Sequence, residues 1–189
     1  NEMKKICNKM NLNINNVIDA AKSKPFGFMP FYPGPGLGGH CIPIDPFYLS
    51  WKANKLGIQT KFIEISGKIN QSMPQWIVNK IHYFYFKKQK KFNFKNKKFL
   101  ILGISYKKNI NDMRESPALK IIDILLRNNA RVEFFDPFFK KIPNTRQYNF
   151  SKIKLTKITN NNLKKFDGVI LVTDHDNVNY EKIINYSKV

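Results

Sequence analysis

Cysteine is scarce in this chain: Cys7 and Cys41 are the only two among 189 residues. Two thiols make no disulfide framework, so the fold must rest on burial, and a reducing, cytoplasmic compartment is expected. Long apolar runs are missing too. No stretch approaches the roughly 20 residues of a membrane-spanning helix, and no basic, apolar leader opens the sequence. Acidic side chains are few, 13 against 33 Lys and Arg, which leaves a net charge of +20. Such an excess suits nucleic acid when it is gathered into a patch. Here lysine and asparagine are scattered along the whole chain, so no specific nucleic-acid partner is expected, and any such binding should be weak and salt-sensitive. At 42% hydrophobic residues there is enough apolar surface for a core, in one medium domain or two small ones.

Glycine is also infrequent, nine in all, yet four of them crowd into Pro33-Gly34-Pro35-Gly36-Leu37-Gly38-Gly39-His40-Cys41. Such a run makes neither a helix nor a central strand. Glycine frees the backbone and lets a ligand approach the main chain, while proline stiffens the same loop. It is not a dinucleotide fingerprint, which lies between a strand and a helix; the preceding Lys24 to Tyr32 is broken by proline and rich in aromatics. The composition suits a lining that wraps a bulky polar ligand and delivers a sulfur to it. Cys41 is thus a candidate nucleophile, against the blander reading of a structural cysteine beside a tight turn.

Downstream, Asp45-Pro46 with Gly57 predicts a helix from Asp45 to about Leu56: Asp at the N-cap, Pro at the first position, Gly after the end. Cys41 would then stand just before a helix N-terminus, whose partial positive charge suits a nucleophilic sulfur. Asp45 can be a plain cap or a carboxylate that handles a proton or a water. A His40–Cys41 dyad is not expected, because adjacent side chains in extended backbone point apart. No metal site is read from the sequence.

Short helices are expected over Asn1 to about Cys7 and Asn13 to Ala21, then a longer helical region from Lys61 to Lys88 that Pro74 should break or kink. Lys87 to Lys98 reads as a linker, dense in charge. Beyond it the pattern alternates: strand 98–102, helix 117–128, strand 131–135, helix near 161–166, strand 168–172. Alternation of this kind means βαβ units and a mostly parallel sheet. Ser116-Pro117 opens a helix after the first strand, a setting that holds anions on free backbone N–H groups, and Lys107, Lys108 and Arg114 add positive charge there. Asp136 and His175 fall at strand ends and read as a turn residue and a capped loop histidine.

The stretch Phe26 to Pro46 closely resembles the active-site loop of the UDP-glucose/GDP-mannose dehydrogenase family, nearest in look to its bacterial UDP-N-acetylglucosamine 6-dehydrogenase branch. Leu102 to Lys108 with Asp112 to Ala118 resembles the start of that family's UDP-binding domain. The resemblance implies an α/β protein: a central all-helical dimerisation and catalytic-cysteine domain over 1–88, then a Rossmann-like UDP-binding domain over 89–189. It implies the oxidation of a sugar's C6 alcohol to a carboxylate with two NAD in succession, through a thiohemiacetal and a thioester on the cysteine. Carried over by motif, Cys41 is the nucleophile and Asp45 the assisting carboxylate. Phe31, Tyr32, Pro33, Gly34, Pro35, Gly36, Leu37 and Gly38 wrap the sugar nucleotide, Tyr106 and Lys107 contact it, and Arg114 meets the NAD. Ile44, where UDP-glucose enzymes often carry Lys, fits the N-acetylglucosamine branch. The same resemblance places an NAD-binding domain ahead of Asn1, absent here, and a last strand and a substrate-binding arginine beyond Val189. The expectation is part of a homodimeric or larger enzyme, inactive alone; the alternative is a non-catalytic remnant that only dimerises or binds UDP.

Overall fold

The computed structural model describes residues 1–88 and 91–188. Its first part is helical: α1 (Glu2–Lys9), α2 (Ile14–Lys22), α3 (Cys41–Lys55), α4 (Lys61–Gln71) and α5 (Met73–Lys88). Asn13 caps α2 by accepting from the N–H of Asn15. The break expected at Pro74 falls instead at Ser72, and Pro74 sits in the first turn of α5, where its missing N–H had no intrahelical partner to lose.

Helix α3 begins earlier than the Asp45-Pro46 signal predicts. Cys41 is its first residue, His40 stands at the N-cap without a side-chain cap bond, and Asp45 and Pro46 lie inside. Pro43 costs nothing, because the N–H it lacks is one of the four that a helix leaves free. Pro46 removes one interior bond. What outweighs that loss is tertiary: the N–H of Gly39 donates to the carbonyl of Arg114 at 2.8 Å and fixes the chain direction two residues before the helix.

The second part is a parallel sheet with helices on both faces: β1 (Lys98–Leu102), α6 (Pro117–Arg127), β2 (Arg131–Phe135), β3 (Lys154–Leu155), α7 (Asn160–Leu163), β4 (Gly168–Leu171) and α8 (Tyr180–Tyr186), in the order β3-β2-β1-β4. Phe99 of β1 pairs with Val132 of β2 and with Gly168 of β4. Side chains along β1 alternate between two cores. Phe99 and Ile101 join Ile121, Ile122 and Leu125 of α6, Phe134 of β2 and Val78 of α5. Leu100 and Leu102 meet Leu163, Phe166 and Ile183 on the other face. Burial on both faces is what makes the run Phe99 to Leu102 continuously apolar.

Of the expected linker, residues 89 and 90 lie outside the described residues, as does the boundary drawn between 88 and 89. The remainder is no free tether. Phe92 and Phe94 are buried in the larger core, Phe92 stacked on Tyr85 at 4.6 Å and Phe94 against Phe99 at 5.7 Å. Two aromatics among lysines are a weak pattern, but each ring removes a large apolar area from water. Two elements were not anticipated: β3, too short to carry a pattern, and α8, capped by Asn179, which accepts from the N–H of Lys182.

Candidate active site

The glycine loop lies flat against the mouth of the second part. A Cβ on Gly38 would stand 2.5 Å from the Cβ of Tyr106 and 3.2 Å from the carbonyl oxygen of Glu115. Gly39 has φ +92° and would press a Cβ onto the Tyr106 ring at 2.9 Å. Only glycine allows this approach at Gly38, where both obstacles belong or are fixed to backbone, while Gly39 is held to glycine by its positive φ. The loop delivers Cys41 to the first turn of α3 with its side chain exposed. Asp45 follows four residues later, so the two side chains share one helix face with Cβ atoms roughly 5–6 Å apart. His40 lines the neighbouring cavity, and the backbone at this point is helical rather than extended, with His40 at φ −104° and ψ −54°.

Opposite stands the segment 103–116, between β1 and α6. Ser116 caps α6 by accepting from the N–H of Ala118. Arg114 pairs with Asp112, Nη2 to Oδ2 at 2.7 Å and Nε to Oδ1 at 3.1 Å. That pairing raises the Arg114 pKa and, from the other side, holds the Asp112 carboxyl below its usual range. Tyr106 and Cys41 also act on the Arg114 charge, which places all three groups in one neighbourhood.

Between the two parts opens a cavity of about 1070 Å³. Of the predicted residues, Gly36, Leu37 and Arg114 form its wall. Cys41 and Asp45 are not among its lining residues, although their chain neighbours His40 and Ile44 are, and Tyr106 backs the glycines. The others are not gathered there. Tyr32 donates its hydroxyl to Asp19 at 2.8 Å, and Gly34 donates its N–H to the Asn1 side chain at 3.1 Å, which ties Phe31 to Pro35 toward α1 and α2. Lys107 is exposed and is not among the lining residues. Residues with no signal in the sequence complete the wall: Asn70 and Gln71 at the end of α4, and Thr145 to Tyr148. They arrive from distant parts of the chain, so no local spacing marks them.

Two loops from β2 and β4 hold the segment 103–109 from behind. Asp136 Oδ2 accepts from the N–H groups of Ile104 at 2.7 Å and Ser105 at 3.1 Å. In a dinucleotide-binding sheet an acid at the end of the second strand takes the ribose hydroxyl. Asp136 cannot, being 3% exposed and occupied by protein donors. Within the described residues Arg114 fits one edge of a dinucleotide, as a cation on the cavity wall, and no fuller cradle accompanies it.

Residues 1–72 match the central domain of the UDP-glucose/GDP-mannose dehydrogenase family, and residues 100–189 match its UDP binding domain. The chain is 32% identical over 176 residues to the UDP-N-acetyl-D-mannosamine dehydrogenase of Methanococcus vannielii, covering 93% of this chain and 37% of that protein. It is 30% identical over 175 residues to the UDP-N-acetyl-D-glucosamine 6-dehydrogenase of Pseudomonas aeruginosa, with 93% and 39% covered. Among solved structures, the UDP-N-acetyl-mannosamine dehydrogenase Cap5O of Staphylococcus aureus superposes with a TM-score of 0.71 at 28% identity, over 99% of this chain and 40% of that one. The UDP-D-ManNAc dehydrogenase of Pyrococcus horikoshii shares the fold at a TM-score of 0.76 and 24% identity, over 99% of this chain and 41% of that one. The chain thus spans 37% to 39% of the length of these curated relatives. With both matched regions in family order, and the glycine loop of one seated on the loop after β1 of the other, this chain belongs to the UDP-glucose/GDP-mannose dehydrogenase family.

Proposed function

We propose that the chain forms the cysteine-bearing and nucleotide-binding parts of an NAD-dependent dehydrogenase that oxidises C6 of a UDP-N-acetylhexosamine to the uronic acid, UDP-N-acetylglucosamine being the first substrate to test. One observation carries the reading: Cys41 is exposed in the first turn of α3, with Asp45 one turn along the same helix face, directly after the glycine loop whose Gly39 bonds the backbone of Arg114 on the cavity wall. The relatives' names support a UDP-sugar and divide between the mannosamine and glucosamine forms.

NAD, when bound, supplies the hydride acceptor for both oxidations. Cys41 adds its sulfur to the C6 aldehyde as a thiohemiacetal, and after the second oxidation the sulfur holds the carbonyl as a thioester. Asp45 takes a proton from the water that cleaves the thioester, which releases the acid and restores the thiol. Tyr106 and Lys107 contact the UDP-sugar, with the loop from Phe31 to Gly38 closing over it, and Arg114 meets an edge of the cofactor. The exposed apolar face of α3 and α4 supports a homodimer or larger assembly, and the two free thiols suit a cytoplasmic setting.

The test uses the complete polypeptide that carries this sequence, with NAD and each UDP-N-acetylhexosamine. Cys41→Ala should abolish acid formation while calorimetry still detects UDP binding. Full activity in that variant removes the cysteine mechanism. A wild-type protein that binds UDP but oxidises neither sugar is the non-catalytic remnant.

A further inference from the structure

Asp136 and His175 lie away from the cavity, and nothing in the proposed chemistry uses them. Both are buried, His175 at 1% exposure. The N–H of Asn109 donates to His175 Nδ1 at 2.9 Å, so that nitrogen carries no proton. The proton therefore sits on Nε2, which donates to Asp136 Oδ2 at 3.1 Å. The same oxygen accepts from Ile104 and Ser105, and the other oxygen accepts from the N–H of Phe138 at 2.8 Å. A buried carboxylate is tolerable only when it is hydrogen-bonded in this way. Next to it, Thr173 donates its hydroxyl to the Ser105 carbonyl at 2.6 Å, and Gly103 passes so close to the Thr173 carbonyl that a Cβ would not fit.

The pair thus grips both ends of one short loop: Ile104 and Ser105 at its start through Asp136, Asn109 at its end through His175. Between the grips stand Tyr106 and Lys107. Asn109 sits at φ +62°, a left-handed conformation that asparagine takes up more readily than most residues, and its side chain bonds Asp176 as well. We propose that Asp136 and His175 are positioning residues that lock the loop 103–109, and so set Tyr106 and Lys107 for the uridine nucleotide. This rests on the reading of those two residues as nucleotide contacts. The position that would bind ribose in a dinucleotide-binding sheet has here been turned inward to shape a loop.

The experiment is run on the full protein with His175→Ala, His175→Asn, His175→Gln and Ile183→Ala. Each is measured for amide exchange, for UDP affinity by calorimetry and for its thermal midpoint. In His175→Ala the Asn109 amide should exchange about tenfold faster, and UDP affinity should fall about tenfold. His175→Asn places an acceptor where Nδ1 stood and should restore most of both. His175→Gln keeps a donor for Asp136 but not the acceptor, and should behave as the alanine variant; it carries the test if that variant does not fold. Ile183→Ala, in the core on the far face of the sheet, should lower the midpoint and leave UDP affinity unchanged. Unchanged Asn109 exchange in His175→Ala overturns the lock, and equal affinity loss in Ile183→Ala reduces the effect to stability. If wild type binds no UDP while exchange responds as stated, the nucleotide reading falls and the loop lock stands.

Discussion

Gly38 shows how much of this site depends on an absent atom. The Cβ of Tyr106 is fixed to backbone and cannot rotate away from a methyl group placed 2.5 Å from it. Gly38→Ala should therefore push the loop off the Tyr106 face, at a cost of about 1–3 kcal/mol, with a matching fall in the thermal midpoint and weaker UDP binding. Gly34→Ala is the control: the nearest obstacle is the Gly36 carbonyl at 3.8 Å, so the midpoint should barely move. Equal effects of the two substitutions would contradict the close approach. At this scale the sequence singled out Cys41 and Arg114 by local signals, a thiol after four glycines and an arginine before a helix cap, and the fold exposes the first and sets the second on the cavity wall. The inward roles of Asp136 and His175 were not. Each reads as a turn or loop residue, and Asp136 does make such a turn with Phe138, but its other oxygen serves partners 31 and 32 residues earlier in the chain.

At the scale of elements, local signals located the strands well. Lys98 to Leu102 and Arg131 to Phe135 are strands over the expected residues, because burial on both faces or alternation leaves a plain pattern. Helix α3 shows the opposite case. Asp45-Pro46 is a sound start signal, yet the contact of Gly39 with Arg114 begins the helix at Cys41 and moves Asp45 onto the face of the sulfur. The stretch 91–97 is a second override. Phe92→Ala should destabilise the fold by about 3–5 kcal/mol, measured by chemical denaturation, because the ring packs on Tyr85 and His82 at the base of α5 and on Phe94. A loss under about 1 kcal/mol would return the segment to the status of a tether.

Across the whole molecule, exposed apolar side chains are frequent throughout the helical part, and α3 and α4 carry one group of them. Tyr48, Leu49 and Trp51 project from one helix, and Phe62, at 87% exposure, and Ile65 from the other. Gly67 lets the Phe47 ring sit tightly between the two helices. Patches of this kind mark association sites. Sedimentation velocity should show a dimer or larger species at micromolar concentration, and Trp51→Asp should shift it to monomer without changing the helical content. A monomeric wild type would remove self-association through this face. No helix among the described residues is long and apolar enough to cross a membrane.

By itself the sequence determined the class of fold, the two motifs and their order, because alternation, glycine crowding and helix caps act over a few neighbouring residues. Tertiary structure alone decided that the glycine loop rests on Tyr106, that α3 starts at the sulfur, and that Asn70, Gln71 and the segment 145–148 share a wall with Arg114. The physical reason is range. A contact between residues some 70 positions apart forms only after loop closure, and no local preference along the chain records it.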